Sequence, residues 1–494
     1  LTILKKKFKR NFLFVFALVF AFSSLLFACN AISLSGGPAS TATVFGNGGS
    51  AVVKGDYIYF ANAYYDYTDL DSVNDNQYDS GNGVTAYAIY RAKLGDDGKV
   101  VLNDDGEPQN VDILSYNIGG YAYSGLYICG DYLYYTTPYS AQTSGSDTEL
   151  VQGLVRFERV KLNGTQHQIL YKTTSYSSDS GYNIVYVDGT TYITVLDDDK
   201  NLVLITCTSS NVTEKTVSTD VLTFATFEQT NIVYNETVDS VNTYVYFTKQ
   251  NDDNDEYELY RQAFSSTTAE KIAVSSNELD LVAVKNDRVY FTNNSVLYST
   301  VNGYTDVKCY STLSVSSDDT AGTIVDYEIL DDSVGTSLDR GILGVYYDGT
   351  NYSFWIYNGY GDGTQATRVN VSVSDSTLEP TLYATQDNEF YFSLTTTDDD
   401  DNDVTTLYIQ DFTLTYENSK FVLSNLGTPT ALIEDFSAEV DDDTTLFDFD
   451  TERIFVYESV DDSDTLYLKM FMINETPYTD DDDNAMGQYV GVLD

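Results

Sequence analysis

The chain has 494 residues, with 26 Lys and Arg against 75 Asp and Glu, and a formal net charge of −49. A surface so acidic repels phosphate backbones and anionic lipid, which argues against nucleic-acid binding and against lying flat on a membrane. Hydrophobic content of 42% suffices for a core, and 44 Tyr and 25 Phe beside six Pro point to strands, whose pleated, half-buried surface suits aromatic side chains.

The first element is a leader. Lys5 to Arg10 is a basic head, Phe12 to Phe22 an unbroken apolar run, and Leu26-Phe27-Ala28-Cys29 follows. Basic head, apolar run and small residue make a secretory signal. The Cys directly after Ala28 makes the segment resemble a bacterial lipoprotein signal, which implies cleavage after residue 28 and lipid attachment at Cys29. A plain signal peptide with Cys29 incidental, or an uncleaved membrane anchor, are the alternatives. All three place the body outside the cytoplasmic membrane. The lipid reading puts the protein on the extracytoplasmic face of the cell membrane. Residues 29–43, small and rich in Ser and Gly, read as the lipidated Cys and a flexible tether.

From residue 44 a turn followed by an aromatic, β-branched strand keeps returning. Gly55-Asp56-Tyr57-Ile58-Tyr59-Phe60 and Gly130-Asp131-Tyr132-Leu133-Tyr134-Tyr135 are the clearest copies. The first unit pairs with Ala88 to Leu94 across a polar loop; the second pairs with Leu154 to Leu162, then turns at Asn163-Gly164 into Gln168 to Tyr171. The third runs through Asn183 to Ile193 and on to Asn201–Ile205. The fourth pairs Tyr244–Thr248 with Glu258–Arg261, and the fifth Val289–Thr292 with Ser295–Tyr298. The sixth is Gly344 to Trp355. The seventh pairs Phe390–Leu394 with Thr406–Ile409, and the eighth Arg453–Tyr457 with Thr465–Leu468. Outside the leader no window sustains a helical apolar period.

Each such sheet is too thin to bury both faces alone, and stacking the sheets around an axis buries them. The fold class expected is therefore all-β: a single β-propeller over 44–494, with about eight four-stranded blades and seven as the alternative. A final apolar strand, Gln488 to Leu493, is expected to complete the sheet begun by the first strand and so close the ring.

The strings Tyr134-Tyr135-Thr136-Thr137 and Tyr290-Phe291-Thr292-Asn293, with the return strand Phe157 to Thr165, resemble the Tyr-Trp-Thr-Asp repeat of low-density-lipoprotein-receptor-type propellers. They are also similar to Tyr-rich propeller repeats of bacterial surface proteins. The resemblance implies a scaffold for protein contacts and carries over no catalytic residue. The receptor type has six blades, where this chain offers eight candidate units.

The chemistry-bearing residues are few. His167 is the single His and sits on a hairpin rim, with no nucleophile-elbow string to complete a triad. Cys129, Cys207 and Cys309 lie in or beside strands at gaps that form no metal pattern, and read as small buried residues, with one disulfide plus a leftover thiol as the alternative. Acidic clusters at Asp197–Asp199, Asp252–Asp255, Asp398–Asp403, Asp441–Asp443 and Asp480–Asp483 lack the full calcium-loop pattern. They read as solvated hairpin tips, with calcium as the alternative. Tyr64-Tyr65-Asp66-Tyr67 and Tyr357 to Gly363 offer rings to a sugar or a protein, or pack between blades; Trp355 reads as core. No catalytic, cofactor-binding or metal residue is assigned. The expectation is a lipid-anchored binding module for a surface protein or glycan. The alternatives are a carbohydrate-active enzyme, a glycan hydrolase or lyase, on a propeller scaffold, and a structural accessory of an envelope complex.

Overall fold

The structure, a computed structural model, describes residues 33–39, 44–46, 49–62, 88–103, 108–109, 111–118, 125–144, 147–174, 181–187, 189–225, 244–251, 253–285, 288–293, 296–301, 307–310, 323–330, 341–358, 367–369, 378–386, 388–397, 403–417, 420–433, 439–441, 444–445, 447–449, 452–459, 466–473 and 487–491. Strands appear in this order because aromatic and β-branched runs alternate with turns that only certain residues tolerate. Gly55 and Gly130 hold φ of 58° and 59°, a left-handed geometry that glycine enters without a Cβ clash, and each reverses the chain into a Tyr-rich strand.

Eight antiparallel sheets form an eight-bladed propeller, each sheet in sequence order from the axis outward. Blade 1 is Ala51–Lys54, Tyr57–Ala61, Ala88–Lys93 and Asp112–Ile118. Blade 2 is Tyr127–Cys129, Tyr132–Ser144, Asp147–Lys161 and Gln168–Thr173. Blade 3 is Gly181–Val187, Thr190–Leu196, Leu202–Cys207 and Val212–Ser218. Blade 4 is Val221–Ala225, Tyr244–Asn251, Glu256–Ala263 and Glu270–Ser275. Blade 5 is Leu279–Lys285, Arg288–Asn293, Val296–Val301 and Val307–Tyr310. Blade 6 is Thr323–Ile329, Gly341–Tyr347, Tyr352–Asn358 and Thr367–Val369.

Blade 7 is Thr381–Gln386, Glu389–Thr397, Asp403–Glu417 and Thr430–Ile433. Its third strand overruns the sheet, and Lys420–Leu426 folds back along the overrun as a hairpin. Blade 8 is Phe447–Phe449, Arg453–Ser459, Leu466–Met472 and Gln488–Tyr489. The eight units read from the sequence each fall in a separate blade.

Closure differs from expectation. Gln488–Tyr489 pairs with Lys469–Met470 as the outer strand of blade 8, and blade 1 is complete without it. The third strand of blade 8 needed an outer partner, whereas blade 1 had already supplied its own four. The last and first blades meet through side chains instead. The Gln488 side chain donates to Val100 O (2.7 Å) and accepts from Val100 N (2.8 Å), and Tyr457 donates to Ala61 O (3.2 Å). Phe60, Tyr90, Phe455, Leu468 and Val490 share one core cluster across the join. Gly491 passes so close that a Cβ there would sit 1.8 Å from Asn62 Oδ1.

Two faces follow from the meander. Connections between first and second, and between third and fourth, strands leave one end of the ring, the turn face. Connections between second and third strands, and between blades, leave the other, the loop face. Near the axis, polar side chains link successive first strands: Leu281 N donates to Thr223 Oγ1 (2.9 Å) and Leu382 N to Asp326 Oδ2 (3.3 Å). Both donors sit where a β-bulge breaks the register, which frees the N–H for the neighbouring blade.

Part of the stretch expected to be a tether is described. Leu34 N donates to Asn163 O (2.8 Å), and Arg91 donates to Ser35 O (2.8 Å) and Gly36 O (3.1 Å). Val44–Phe45 then pairs antiparallel with Ile128–Cys129, on the axial side of blade 2. Among the described residues no helix is long and apolar enough to cross a membrane; the leader lies outside them.

Candidate functional site

Several buried or half-buried basic residues join blades. Lys54 Nζ donates to Gly130 O (2.8 Å), Arg91 Nη1 to Leu162 O (3.2 Å) and Arg159 Nη2 to Thr208 O (2.8 Å). Lys215 Nζ reaches Phe264 O and Ser266 O, and Arg453 Nε reaches Gly98 O (3.3 Å). In each case a cation of one blade satisfies a turn-face carbonyl of the next. Charge-assisted bonds of this kind exceed neutral ones in strength, so they fix how neighbouring blades meet. Three of the arginines share a register. Arg91, Arg159 and Arg261 stand in the third strand, each over the first Tyr of the second strand (Tyr57, Tyr132 and Tyr244) at 4.9, 4.4 and 4.9 Å. Each also meets the fourth-strand residue opposite it, Asp112, Gln168 or Glu270.

A buried polar centre lies where blades 1 and 2 meet. Glu158 is fully buried. Its Oε2 accepts from Tyr135 (3.0 Å) and lies 2.6 Å from His167 Nε2, while Arg156 Nε stands 3.1 Å from Oε1. Ser115 of blade 1 bonds the same Tyr135 hydroxyl (3.0 Å). Burial by itself pushes the Glu158 carboxyl up, but His167, Arg156 and Tyr135 outweigh it and hold the group below its ordinary range. The single His is thus the partner of a structural carboxylate.

Among the described residues, the turn face carries a groove of about 580 Å³ where blade 8 meets blade 1. Gly55, Asp56, Leu94 and the Gly95–Gly98 turn form one wall; Glu452, Arg453 and Met472 form the other. The turn is built by Gly95 N bonding Lys99 O (2.7 Å) and by Asp97 accepting from Lys99 N (3.2 Å). Arg453 is buried, bonded to Gly98 O and paired with Glu452 at 3.1 Å. The remaining polar lining is Asp56, Asp96 and Asp97. A wall of carboxylates whose guanidinium is already engaged favours a cation over an anion.

The other residues singled out from sequence fall as follows. Cys29 lies outside the described residues. Cys129 and Cys207 are free and buried, and burial pushes the Cys207 thiol up to about 11 and that of Cys129 further, so neither is a reactive thiolate. Cys309 stands in the outer strand of blade 5. Asp197 is buried and caps its own turn by accepting from Asn201 N (2.8 Å), whereas Asp198, Asp199, Asp253 and Asp255 are exposed. Residues 398–402, 442–443 and 480–483, and Tyr64 to Tyr67, lie outside the described residues. So do residues 359–363. Among the described residues no three His, Cys, Asp or Glu come together as a metal site. Trp355 is core, with Nε1 donating to Ser353 Oγ (2.9 Å). Sequence reading missed Glu158 and the groove. The Asp96-Asp97-Gly98 turn was visible, but its facing wall is more than 350 residues away.

No protein-family model matches the chain, and no curated protein does. Solved structures similar to it include an oligogalacturonate lyase in complex with manganese, 11% identical, covering 69% of this chain and 98% of that one at a TM-score of 0.39. A eukaryotic initiation factor is 9% identical and covers 91% of this chain and 90% of its own at 0.41. The propeller domain of the Trilobed protease from Pyrococcus furiosus is 7% identical and covers 77% and 97% at 0.34. The fold stands on the chain's own topology, eight blades in a ring.

Proposed function

We propose that the protein is a propeller anchored through a lipid on Cys29 at the extracytoplasmic face of the cell membrane, acting as a binding module for a surface protein. The groove between blades 8 and 1 is the ligand site, and a basic segment of the partner is the ligand. The observation that carries this reading is the carboxylate lining of Asp56, Asp96 and Asp97 beside an Arg453 already bonded to Gly98 O and Glu452. A lysine- or arginine-bearing strand of chain finds counter-charges there, and the site lies where two blades leave a natural cleft.

Because the whole molecule is acidic, charge attraction alone will draw in polycations, so the test needs a matched control. Hexalysine is titrated calorimetrically into the protein, into the Asp56→Asn/Asp96→Asn variant, and into Asp198→Asn/Asp199→Asn, which removes the same charge from the loop face. The expected result is a single site lost in the first variant and kept in the second. Equal loss in both overturns the groove. Neutral and acidic oligosaccharides are incubated in parallel; release of shortened products overturns the binding reading in favour of a carbohydrate-active enzyme.

A further inference from the structure

The way the chain enters the ring fixes which face an anchor would hold toward the membrane. Residues Ser33 to Ala39 lie on the turn face. Leu34 packs against the core cluster shared by blades 1 and 2 and bonds Asn163 O (2.8 Å). Arg91, only 2% exposed along its side chain, bonds Ser35 O and Gly36 O while pairing with Asp112 at 3.1 Å. Pro38 stands against the Gly55 turn, so close that a Cβ on Gly55 would meet it at 3.4 Å. Val44–Phe45 lies antiparallel to Ile128–Cys129 and runs toward the loop face, where Leu126 N bonds Gly49 O (2.8 Å). The segment therefore enters from the turn face, at the rim of blades 1 and 2.

Reach decides what this means. Cys29 precedes Leu34 by five residues, which span at most about 18 Å when fully extended. Were all of 29–43 free, the link would reach roughly 50 Å and allow any orientation. A blade strand of six residues is itself about 20 Å long. A link shorter than one blade is tall cannot let the ring turn over. We infer that the turn face at blades 1 and 2 is turned toward the membrane across this short link, its acidic surface keeping it from lying on the lipid, and that the loop face, with Asp198, Asp199, Asp253 and Asp255, points away from it. This rests on the anchoring reading given above, though an uncleaved leader would exit at the same place. The groove between blades 8 and 1 then opens toward the lipid, and the space is suited to an extended peptide at the membrane surface rather than to a folded partner.

The test uses the full chain, produced with its leader in a bacterial host that lipidates such leaders and reconstituted into liposomes with nitroxide-headgroup lipid. Cys309 is changed to Ser; Cys129 and Cys207 are buried and Cys29 is occupied by lipid. A fluorophore is placed at Lys93→Cys or Asp131→Cys on the turn face, and at Asp198→Cys or Asp255→Cys on the loop face; all four positions are exposed. Lipid quenching is expected to be several-fold stronger for the first pair. Inserting ten Gly/Ser residues between Cys29 and Ser33 leaves the ring untouched and is expected to erase the contrast. Equal quenching at both faces, or stronger quenching at the loop face, overturns the orientation. Flotation with liposomes is read separately. Its loss in Cys29→Ser is expected, and its absence in the unaltered chain overturns the anchor itself, and the orientation with it.

Discussion

Two seams of the ring hold their blades by different means. Between blades 6 and 7 the contact is aromatic: Phe354 lies 5.0 Å from Phe390 and 5.1 Å from Phe392, and Phe412 from the overrunning hairpin closes on Phe390 at 6.0 Å. Between blades 1 and 2 the apolar core is crossed by Lys54, Arg91 and the Glu158 centre. Ring packing is non-directional in its main term and follows the area buried. Charge-assisted bonds have fixed partners, and a blade displaced by one residue would lose them. The aromatic seam thus supplies bulk attraction, while the polar seam sets the relative position of its blades. The polar seam is also where the amino-terminal segment docks, through Arg91.

The largest effect is expected at the aromatic seam. Phe390 is fully buried, and truncating it removes its transfer energy and leaves a cavity. Phe390→Ala is expected to lower stability by about 3–5 kcal/mol. A urea titration at low and high salt checks it. The loss should be the same in both, because no charge is involved; a salt-dependent loss would mean that the seam is not held by packing.

The polar seam should respond to acid instead. Glu158→Gln keeps the shape and removes the charge, and is expected to cost about 1–3 kcal/mol at neutral pH. The folded protein holds this carboxyl below its ordinary range, so the native state binds the proton less tightly than the unfolded chain. Its contribution is therefore complete above the ordinary carboxylate pKa and is lost as pH falls through the folded value. The gap between wild type and Glu158→Gln should narrow below about pH 4, while the gap to Phe390→Ala stays constant. Urea midpoints between pH 7 and pH 3 read both. Glu258 adds to the same acid limb in wild type and variant alike: burial raises its carboxyl, but Lys271, Tyr260 and Asn251 bring it down to about 2.

The hairpins of all eight blades were legible because strand signals are local: a turn, then alternating aromatic and β-branched residues. Tyr57–Ala61 with Ala88–Lys93, and Arg453–Ser459 with Leu466–Met472, stand where the repeats placed them. The first strand of blade 4, Val221–Ala225, was not legible, since its pairing partner begins some twenty residues on and no tight turn announces it. The final strand was expected in blade 1 and pairs in blade 8, because an apolar run states that it will pair and not with what. The Glu158 centre depended on a return-strand register with a bulge after Phe157, which brings His167 back beside a residue nine positions earlier. One signal for the blade-joining cations was present and unused: an Arg in the third strand of blades 1 and 2, directly opposite Tyr59 and Tyr134.

The third-strand arginines give the finest test of what a crossing bond contributes. Arg159 and Arg261 occupy the same register, stack on equivalent tyrosines and meet equivalent fourth-strand residues. Arg159 is buried, bonds Tyr134 and continues to Thr208 O of blade 3. Arg261 bonds Glu270 of its own blade at 2.8 Å, and Glu270 is 61% exposed. An exposed pair of this kind is worth at most about 1 kcal/mol and is screened by salt. Arg261→Ala is therefore expected to change the urea midpoint less than Phe390→Ala, Glu158→Gln or Arg159→Ala, and less still in 0.5 M salt. Arg159→Ala strands a carbonyl of the next blade, and should cost more and depend less on salt. If the two arginine variants cost the same at both salt concentrations, stacking on the tyrosine, which they share, is the stabilising contact. The bonds across the seam would then be a consequence of how the blades meet and not its cause.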